Sequence, residues 1–251
     1  MGRAMIDINS DLGEGAGHDP ELMPFISSAN IACGGHAGDE DTMRETVALA
    51  KKNGVSIGAH PGYPDKANFG RDAMNLEPLA LIEEISAQIR ALADVAGQMG
   101  TSIRHVKAHG ALYNQAAHDK GIAKSIATGI YDDARGAGYL VFAMPGSALL
   151  DAARAMELRV AREGFIDRAY EPDGTLRSRK LDGALHTDPK IAAAQAVSFL
   201  RAGGVRAHDG SFIRMDVDTL CFHGDTPGIT NIAAAVRDAL KREGIEVRPP
   251  A

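Results

Sequence analysis

Four of the nine histidines close a short apolar run beside a glycine or a proline: His36, His60, His109 and His223. Imidazole gains and loses protons near neutral pH, and it is the commonest metal ligand in proteins. A small or rigid neighbour lets the backbone turn sharply, so that the ring reaches the mouth of a pocket. The pattern therefore favours proton transfer or ligand binding at one site, provided that the fold gathers the four segments.

Carboxylates and a lysine accompany these histidines. Asp11 and Glu14 follow the first apolar run in a glycine-rich turn, and Glu163 follows a later run. Lys107 precedes His109 by two positions, so both side chains point to the same face if the segment is a strand. Carboxylates and imidazoles together supply the acid and the base of hydrolytic chemistry.

A purely structural role is the alternative for each residue taken alone. Asn9 and Asn30 are typical of residues that cap a helix or tie a turn. Cys33 has no base or lysine in its motif, which favours a packing role, and Glu163 with Arg168 is a possible plain ion pair. The other histidines are interpreted as structural: His18, His105, His118, His186 and His208. A structural role explains less well why ionisable residues follow several strand ends at once. Folding stability does not require charged side chains to be concentrated at one end of a sheet or barrel.

Apolar runs alternate with segments of helical period along the whole chain, which predicts an α/β fold with a parallel sheet. Seven strands are predicted: 5–9, 28–32, 55–59, 103–108, 139–144, 159–162 and 219–222. In such folds ligands bind at the carboxyl ends of the strands, and the ionisable residues follow those ends.

Helices are predicted between the strands, including one from Pro78 to Gly100, one over 119–138, one over 147–156 and one from Pro189. The polar stretch 165–188 is interpreted as a long functional loop. A hairpin is predicted around residues 208–211.

The chain has 251 residues, of which 45% are hydrophobic and 24% charged, with a net charge of −6. We expect one folded domain over 1–251 and no nucleic-acid partner. The two cysteines lie far apart, and the sequence shows neither a signal peptide nor a membrane span, so a cytoplasmic protein is expected. Phosphate loops of the G-x-x-x-x-G-K-[ST] type, H-E-x-x-H and G-x-S-x-G are absent.

Six segments together resemble the LamB/YcsF family. They are 7–14 (DINSDLGE), 28–39 (SANIACGGHAGD), 57–65 (IGAHPGYPD), 107–114 (KAHGALYN), 163–168 (EGFIDR) and 223–227 (HGDTP). They span nearly the whole chain in the family's order. Two segments depart from the family pattern: Ala108 replaces a usual proline, and 68–72 (NFGRD) differs from the usual GFGRR, with Asp72 in place of an arginine.

The resemblance implies an irregular seven-stranded (β/α) TIM-like barrel of the glycoside hydrolase/deacetylase type. It also implies the reaction of an ATP-dependent 5-oxoprolinase, which cleaves 5-oxo-L-proline to L-glutamate and hydrolyses ATP, with Mg²⁺, to ADP and phosphate. In that enzyme this chain would be one of three components, working with partner subunits B and C.

On this reaction, Asp11 is assigned as general base, with His60, His109 and His223 as acid or orienting groups. Arg71 and Lys107 are candidates for holding the substrate carboxylate or a phosphate. The full set of expected binding residues is Asp7, Asn9, Glu14, Asn30, Arg71, Lys107, Glu163 and Asp225.

Two other functions stay open. Asp11, His36 and His60 form an acceptable ligand set for Zn²⁺ or another divalent ion, which would make the chain a metal-dependent amide or ester hydrolase of the deacetylase kind. The other alternative is a non-catalytic component that binds a cyclic amino acid and delivers it to its partners.

Overall fold

Parallel strands form a closed barrel in this protein, whose computed structural model describes residues 5–133 and 138–250. The strands are β1 Met5–Leu12, β2 Ser28–Ala32, β3 Ser56–His60, β4 His105–Lys107, β5 Leu140–Ala143, β6 Arg159–Phe165, β7 Gly204–Arg206, β8 Phe212–Arg214, β9 Thr219–His223 and β10 Glu246–Val247. The barrel order is β1-β2-β3-β4-β5-β6-β9, and β9 also pairs with β1. The predicted seven-stranded barrel is confirmed.

Helices connect the strands around the outside of the barrel. They are α1 Asp19–Leu22, α2 Glu40–Asn53, α3 Pro78–Gln98, α4 Gly110–Ala116, α5 Lys120–Asp132, α6 Ala148–Ala155, α7 Pro189–Arg201 and α8 Ile229–Arg242. Short 3₁₀ turns occupy Met23–Phe25 and Lys66–Asn68. Within the described residues, no helix is both long and apolar enough to cross a membrane.

Local sequence signals set the helix ends. The Asp39 side chain accepts a hydrogen bond from the Thr42 backbone N–H and begins α2, which ends at Gly54 with a left-handed φ of 68°. Asp119 and Asp188 cap α5 and α7 in the same way as Asp39. Along α3 one apolar face packs against the core, since Ile85, Ile89 and Leu92 are fully buried.

Several predicted bounds differ from the structure. β1 continues to Leu12 and β6 to Phe165, so Asp11 and Glu163 lie inside strands instead of after them. The helix predicted over 119–138 ends at Asp132, and residues 134–137 lie outside the described residues. The short helix α4 was not predicted.

Two smaller strand pairings lie outside the barrel wall. β7 and β8 pair antiparallel and form the hairpin expected around residues 208–211. β10 adds to the first residues of β1, at the end of the barrel opposite the site described below.

Candidate functional site

A cavity of about 750 Å³ opens at the carboxyl ends of the barrel strands. Its lining includes all four residues predicted to be catalytic, together with predicted binding residues: Asp11, Glu14, His60, Arg71, Lys107, His109, His223 and Asp225. The long loop predicted to be functional also reaches this cavity through residues 168–180. Side chains from separate strands thus meet at one mouth of the barrel.

Lys107 is the buried cation at the centre of the cavity floor. Its Nζ lies 2.9 Å from Asp11 Oδ1, 3.1 Å from Glu163 Oε1 and 3.0 Å from Cys221 Sγ. Burial alone would lower the pKa of Lys107, but Asp11 and the other anionic neighbours outweigh burial and raise it well above the usual value. The lysine therefore stays charged and fixes Asp11 and Glu163 on either side. The expected pair of Glu163 with Arg168 does not form, since Arg168 Nη2 donates to the Arg177 carbonyl.

Asp11 lies beside both Lys107 and His60, with its Oδ2 3.4 Å from His60 Nε2. Asn30 Nδ2 also donates to Asp11 Oδ1 at 2.8 Å. Burial alone would raise the pKa of Asp11, but the charges of His60 and Lys107 hold that pKa well below its usual range. A carboxylate so strongly stabilised accepts a proton poorly, so this environment suits an orienting anion better than the general base expected from the sequence.

Glu14 and three histidines form a second cluster. His60 links it to the first, because its Nε2 lies near both Asp11 and Glu14. Glu14 Oε1 lies 2.9 Å from His36 Nε2, 3.1 Å from His109 Nδ1 and 3.5 Å from His60 Nε2. The His36 ring stacks on His109 with parallel planes and centroids 3.6 Å apart, and His36 is buried and is not part of the cavity lining. Burial lowers the pKa of His36 to about 4 and also lowers that of His109. Burial acts the same way on His60, but there Asp11 outweighs it and raises the pKa.

His223 has its own carboxylate partner, Asp167. The fully buried Asp167 side chain accepts hydrogen bonds from the His223 backbone N–H at 2.9 Å and from His223 Nδ1 at 3.0 Å. Thr226 Oγ1 donates to the same carboxylate at 2.7 Å. Burial would raise the pKa of Asp167, but the contacts with His223 and Thr226 lower it. Because Nδ1 donates to Asp167, the neutral His223 ring keeps its lone pair on Nε2.

Four residues predicted to bind substrate are buried in the barrel and are not part of the cavity lining: Asp7, Asn9, Asn30 and Glu163. Asp7 pairs in register with Thr219, whereas Asp11 pairs with His223 at the top of the same two strands. Asn9 Oδ1 accepts from Asn30 Nδ2 at 2.7 Å, which joins neighbouring strands across the interior. Asp7, expected from the sequence to be a binding residue, does not line the cavity, because it lies four residues before Asp11 along β1. Asn30 Nδ2 donates to Asp11 Oδ1, and Lys107 Nζ lies 3.5 Å from Asn9 Oδ1, so both amides help to position the charged pair.

Asp7 is held by three hydroxyl donors, those of Ser27, Ser28 and Thr219. Burial raises its pKa to about 6, and these hydrogen bonds only partly offset that effect. His105, interpreted as structural, is buried against Phe142 and its Nε2 contacts Asn30 Oδ1 at 2.8 Å.

The rim of the cavity carries an ion-pair group on exposed side chains. Arg71 Nη2 donates to Asp225 Oδ2, and Arg179 Nη1 lies 3.1 Å from the same oxygen. Arg71 is half exposed and also lies over the Phe69 ring. The two arginines share one carboxylate, so this group of three side chains carries a net positive charge.

Sequence reasoning did not select Asp167 and Cys221 as site residues. Asp167 was visible only as part of the 163–168 motif, and its alternation with Glu163 and Phe165 along the end of β6 was the available signal. Cys33 is buried, and burial raises its pKa to about 12, which agrees with the packing role expected for it.

Comparison with known proteins identifies the family. Residues 6–251 match the sequence profile of the LamB/YcsF family, and the chain belongs to that family. It is 46% identical over 250 residues to the A subunit of 5-oxoprolinase from Pyrococcus furiosus, covering 97% of each chain. It is also 46% identical over 248 residues to the protein of that name from Bordetella pertussis, covering 97% of this chain and 98% of the relative.

A solved structure shows the same fold. The crystal structure of a lactam utilization protein from Thermus thermophilus superposes with a TM-score of 0.90 and 41% identity, covering 97% of this chain and 99% of the other. The resemblance noted from the six sequence segments is thereby confirmed.

Proposed function

We propose that this member of the LamB/YcsF family is the A subunit of an ATP-dependent 5-oxoprolinase, which opens 5-oxo-L-proline to L-glutamate. The names of its relatives and of the similar solved structure support a role in lactam processing. The coupling to ATP, with Mg²⁺ on its phosphates, and the partner subunits B and C are parts of the proposal. Because the reaction consumes ATP, we also propose a cytoplasmic location.

The observation that carries the proposal is the combination of an oriented base and a fixed cation in one cavity. The neutral ring of His223, whose Nδ1 donates to Asp167, presents the lone pair of Nε2, and Lys107 is a buried ammonium in the same cavity. Attack of water on an activated carbonyl needs a base for the water proton and positive charge near the developing anion.

The reaction follows from the chemistry of a lactam. Its carbonyl is a poor electrophile, so transfer of the γ-phosphoryl group of ATP to the carbonyl oxygen creates an activated ring carbon and releases ADP. Water attacks that carbon and gives its proton to His223 Nε2. The ring C–N bond then breaks, its electron pair stays on nitrogen, and the nitrogen takes up a proton. A second water releases phosphate from the resulting acyl phosphate.

The remaining residues have positioning roles in this scheme. Asp11 contacts Lys107 on one side and His60 on the other, and it holds both side chains in position in the cavity lining. The rim arginines Arg71 and Arg179 are placed to pair with the substrate carboxylate or with phosphate oxygens. Glu163 neutralises part of the lysine charge from below.

Reconstitution with purified partners tests the function. We expect this chain alone to produce little glutamate, and the mixture with subunits B and C to produce one glutamate and one phosphate per 5-oxo-L-proline when ATP and Mg²⁺ are present. The variant His223→Gln removes the base and should lower turnover at least about 100-fold. The control His208→Gln changes a half-exposed histidine that pairs with Glu171 and should keep wild-type turnover. ATP-independent turnover by this chain alone, or full activity of His223→Gln, would contradict the proposal.

A further inference from the structure

The cluster of Glu14, His36, His60 and His109 brings one donor atom from each residue to a common point. All four atoms lie within 4.8 Å of one another, and the three histidines are buried. Glu14 and two of the histidines also line the cavity, so the cluster has an accessible side.

Hydrogen bonds outside the cluster fix which ring nitrogens carry protons. His60 Nδ1 lies 2.8 Å from the Lys107 carbonyl oxygen, and His109 Nε2 lies 2.9 Å from the Phe69 carbonyl oxygen. A carbonyl oxygen only accepts, so both of these nitrogens donate. In the neutral rings the lone pairs are therefore on His60 Nε2 and His109 Nδ1, and both point into the cluster.

Those two lone pairs face each other across 3.0 Å, and Glu14 Oε1 lies 3.1 Å from His109 Nδ1. Three acceptors at such distances repel one another unless a cation lies among them. The outward N–H donation to backbone carbonyls is also the arrangement that orients histidines bound to metals.

We propose that Glu14, His60 and His109, with His36 as a fourth donor, bind one divalent transition-metal ion, Zn²⁺ in the first instance. Imidazole nitrogens with one carboxylate oxygen are typical ligands of this ion. The ligand set replaces the one expected from the sequence, since Glu14 and His109 take the place of Asp11. A metal ion here would polarise a carbonyl or a water molecule at the cavity floor. The inference does not depend on the identity of the substrate.

A second group of potential ligands makes a useful contrast. Asp11, Cys221 and His223 also converge. The ammonium of Lys107, however, already lies 2.9 Å from Asp11 Oδ1 and 3.0 Å from Cys221 Sγ. That group is therefore supplied with a cation by the chain itself, whereas the Glu14 cluster has none among the described residues.

Direct metal titration of the untagged full-length chain tests the proposal. After removal of metals with a chelator, Co²⁺ should bind with a stoichiometry of one per chain and give visible absorption bands, and Zn²⁺ should displace it. The variants Glu14→Gln and His109→Gln should each weaken Co²⁺ binding at least about 10-fold, while His18→Gln, which alters an exposed histidine outside the cluster, should not.

The alternative cation is a proton shared between His60 and His109. Failure of the wild-type chain to bind Co²⁺ or Zn²⁺ at one equivalent would favour that proton and overturn the metal site. Equal weakening by His18→Gln would overturn it as well. Circular dichroism of each variant identifies any that does not fold, and the wild-type titration decides the question without them. Since this readout needs neither ATP nor lactam, its failure is distinguishable from failure of the proposed activity.

Discussion

Replacing Asp167 by asparagine tests the base assigned to the reaction. The carboxylate accepts three hydrogen bonds: two from His223, through its backbone N–H and Nδ1, and one from Thr226. Asparagine has nearly the same size, but one of its two terminal atoms is a donor. An amide NH₂ that faces His223 Nδ1 favours the tautomer with the proton on Nε2, which removes the lone pair from the cavity.

The expected loss follows from the role of that lone pair. General-base assistance contributes roughly 10²–10⁴-fold in rate, so turnover should fall by about that factor, equivalent to about 3–5 kcal/mol of barrier. Weakening hydrogen bonds to a buried charge costs about 1.5–3 kcal/mol of unfolding free energy. A typical domain has about 5–15 kcal/mol, so the variant should remain folded at 25 °C.

The matched control is Thr226→Val, which removes one buried donor to Asp167 and leaves both contacts with His223. It should lose about 1–2 kcal/mol of unfolding free energy and keep turnover within a few-fold of wild type. The assay combines glutamate formation by the reconstituted complex with urea unfolding of the isolated chain. Wild-type turnover in Asp167→Asn, or an equal loss in Thr226→Val, would refute the assignment of His223 as base.

Two further substitutions test other parts of the structure. The pKa of Asp7 is about 6 in the folded state and 3.8 in the unfolded state, so between these values the folded state holds the proton more tightly. The free energy of unfolding should therefore fall by up to about 3 kcal/mol as pH rises from 4 to 7. Urea titrations at several pH values should show this decrease in the wild type and not in Asp7→Asn. A Cβ on Gly62 would lie 2.7 Å from His36 Nδ1, so Gly62→Ala should weaken Co²⁺ binding and lower the melting temperature. The control Gly97→Ala adds a methyl group to α3 where there is open space, and it should leave Co²⁺ binding unchanged. Equal effects of the two substitutions on Co²⁺ binding would contradict the role given to His36.

Much of the fold was predictable because its strands are short, almost entirely buried runs between amphipathic helices. The errors lie where polar residues belong to strands. Asp11 and Glu163 are charged, so the sequence places them in loops after β1 and β6. They remain in the strands because the barrel interior supplies Lys107, from a third strand, as their counter-ion. That pairing depends on barrel closure, which a single sequence does not display.

Depth along a strand was the other quantity that the sequence left open. Asp7, Asn9 and Asp11 alternate along β1 and face the barrel interior together, so their period alone does not separate them. Four residues of strand span about 13 Å, which puts Asp7 well below the cavity that Asp11 lines. The same limit applies to Asp167, whose pairing with His223 is a contact between residues 56 positions apart.

The buried charges also explain how one cavity can hold His223 as a proton acceptor and Lys107 as a cation. Asp11 lies beside Lys107, and its negative charge is paired with Lys107 and His60. His60 and Lys107 keep the pKa of that carboxylate low, so Asp11 does not compete with His223 for the water proton. On its other side, Asp11 adds to the negative field that favours a cation at His60. Removing the Asp11 charge should therefore disturb both the Lys107 and His223 pair and the cluster around Glu14. A change at Asp167 should disturb only the first, and a change at Glu14 only the second.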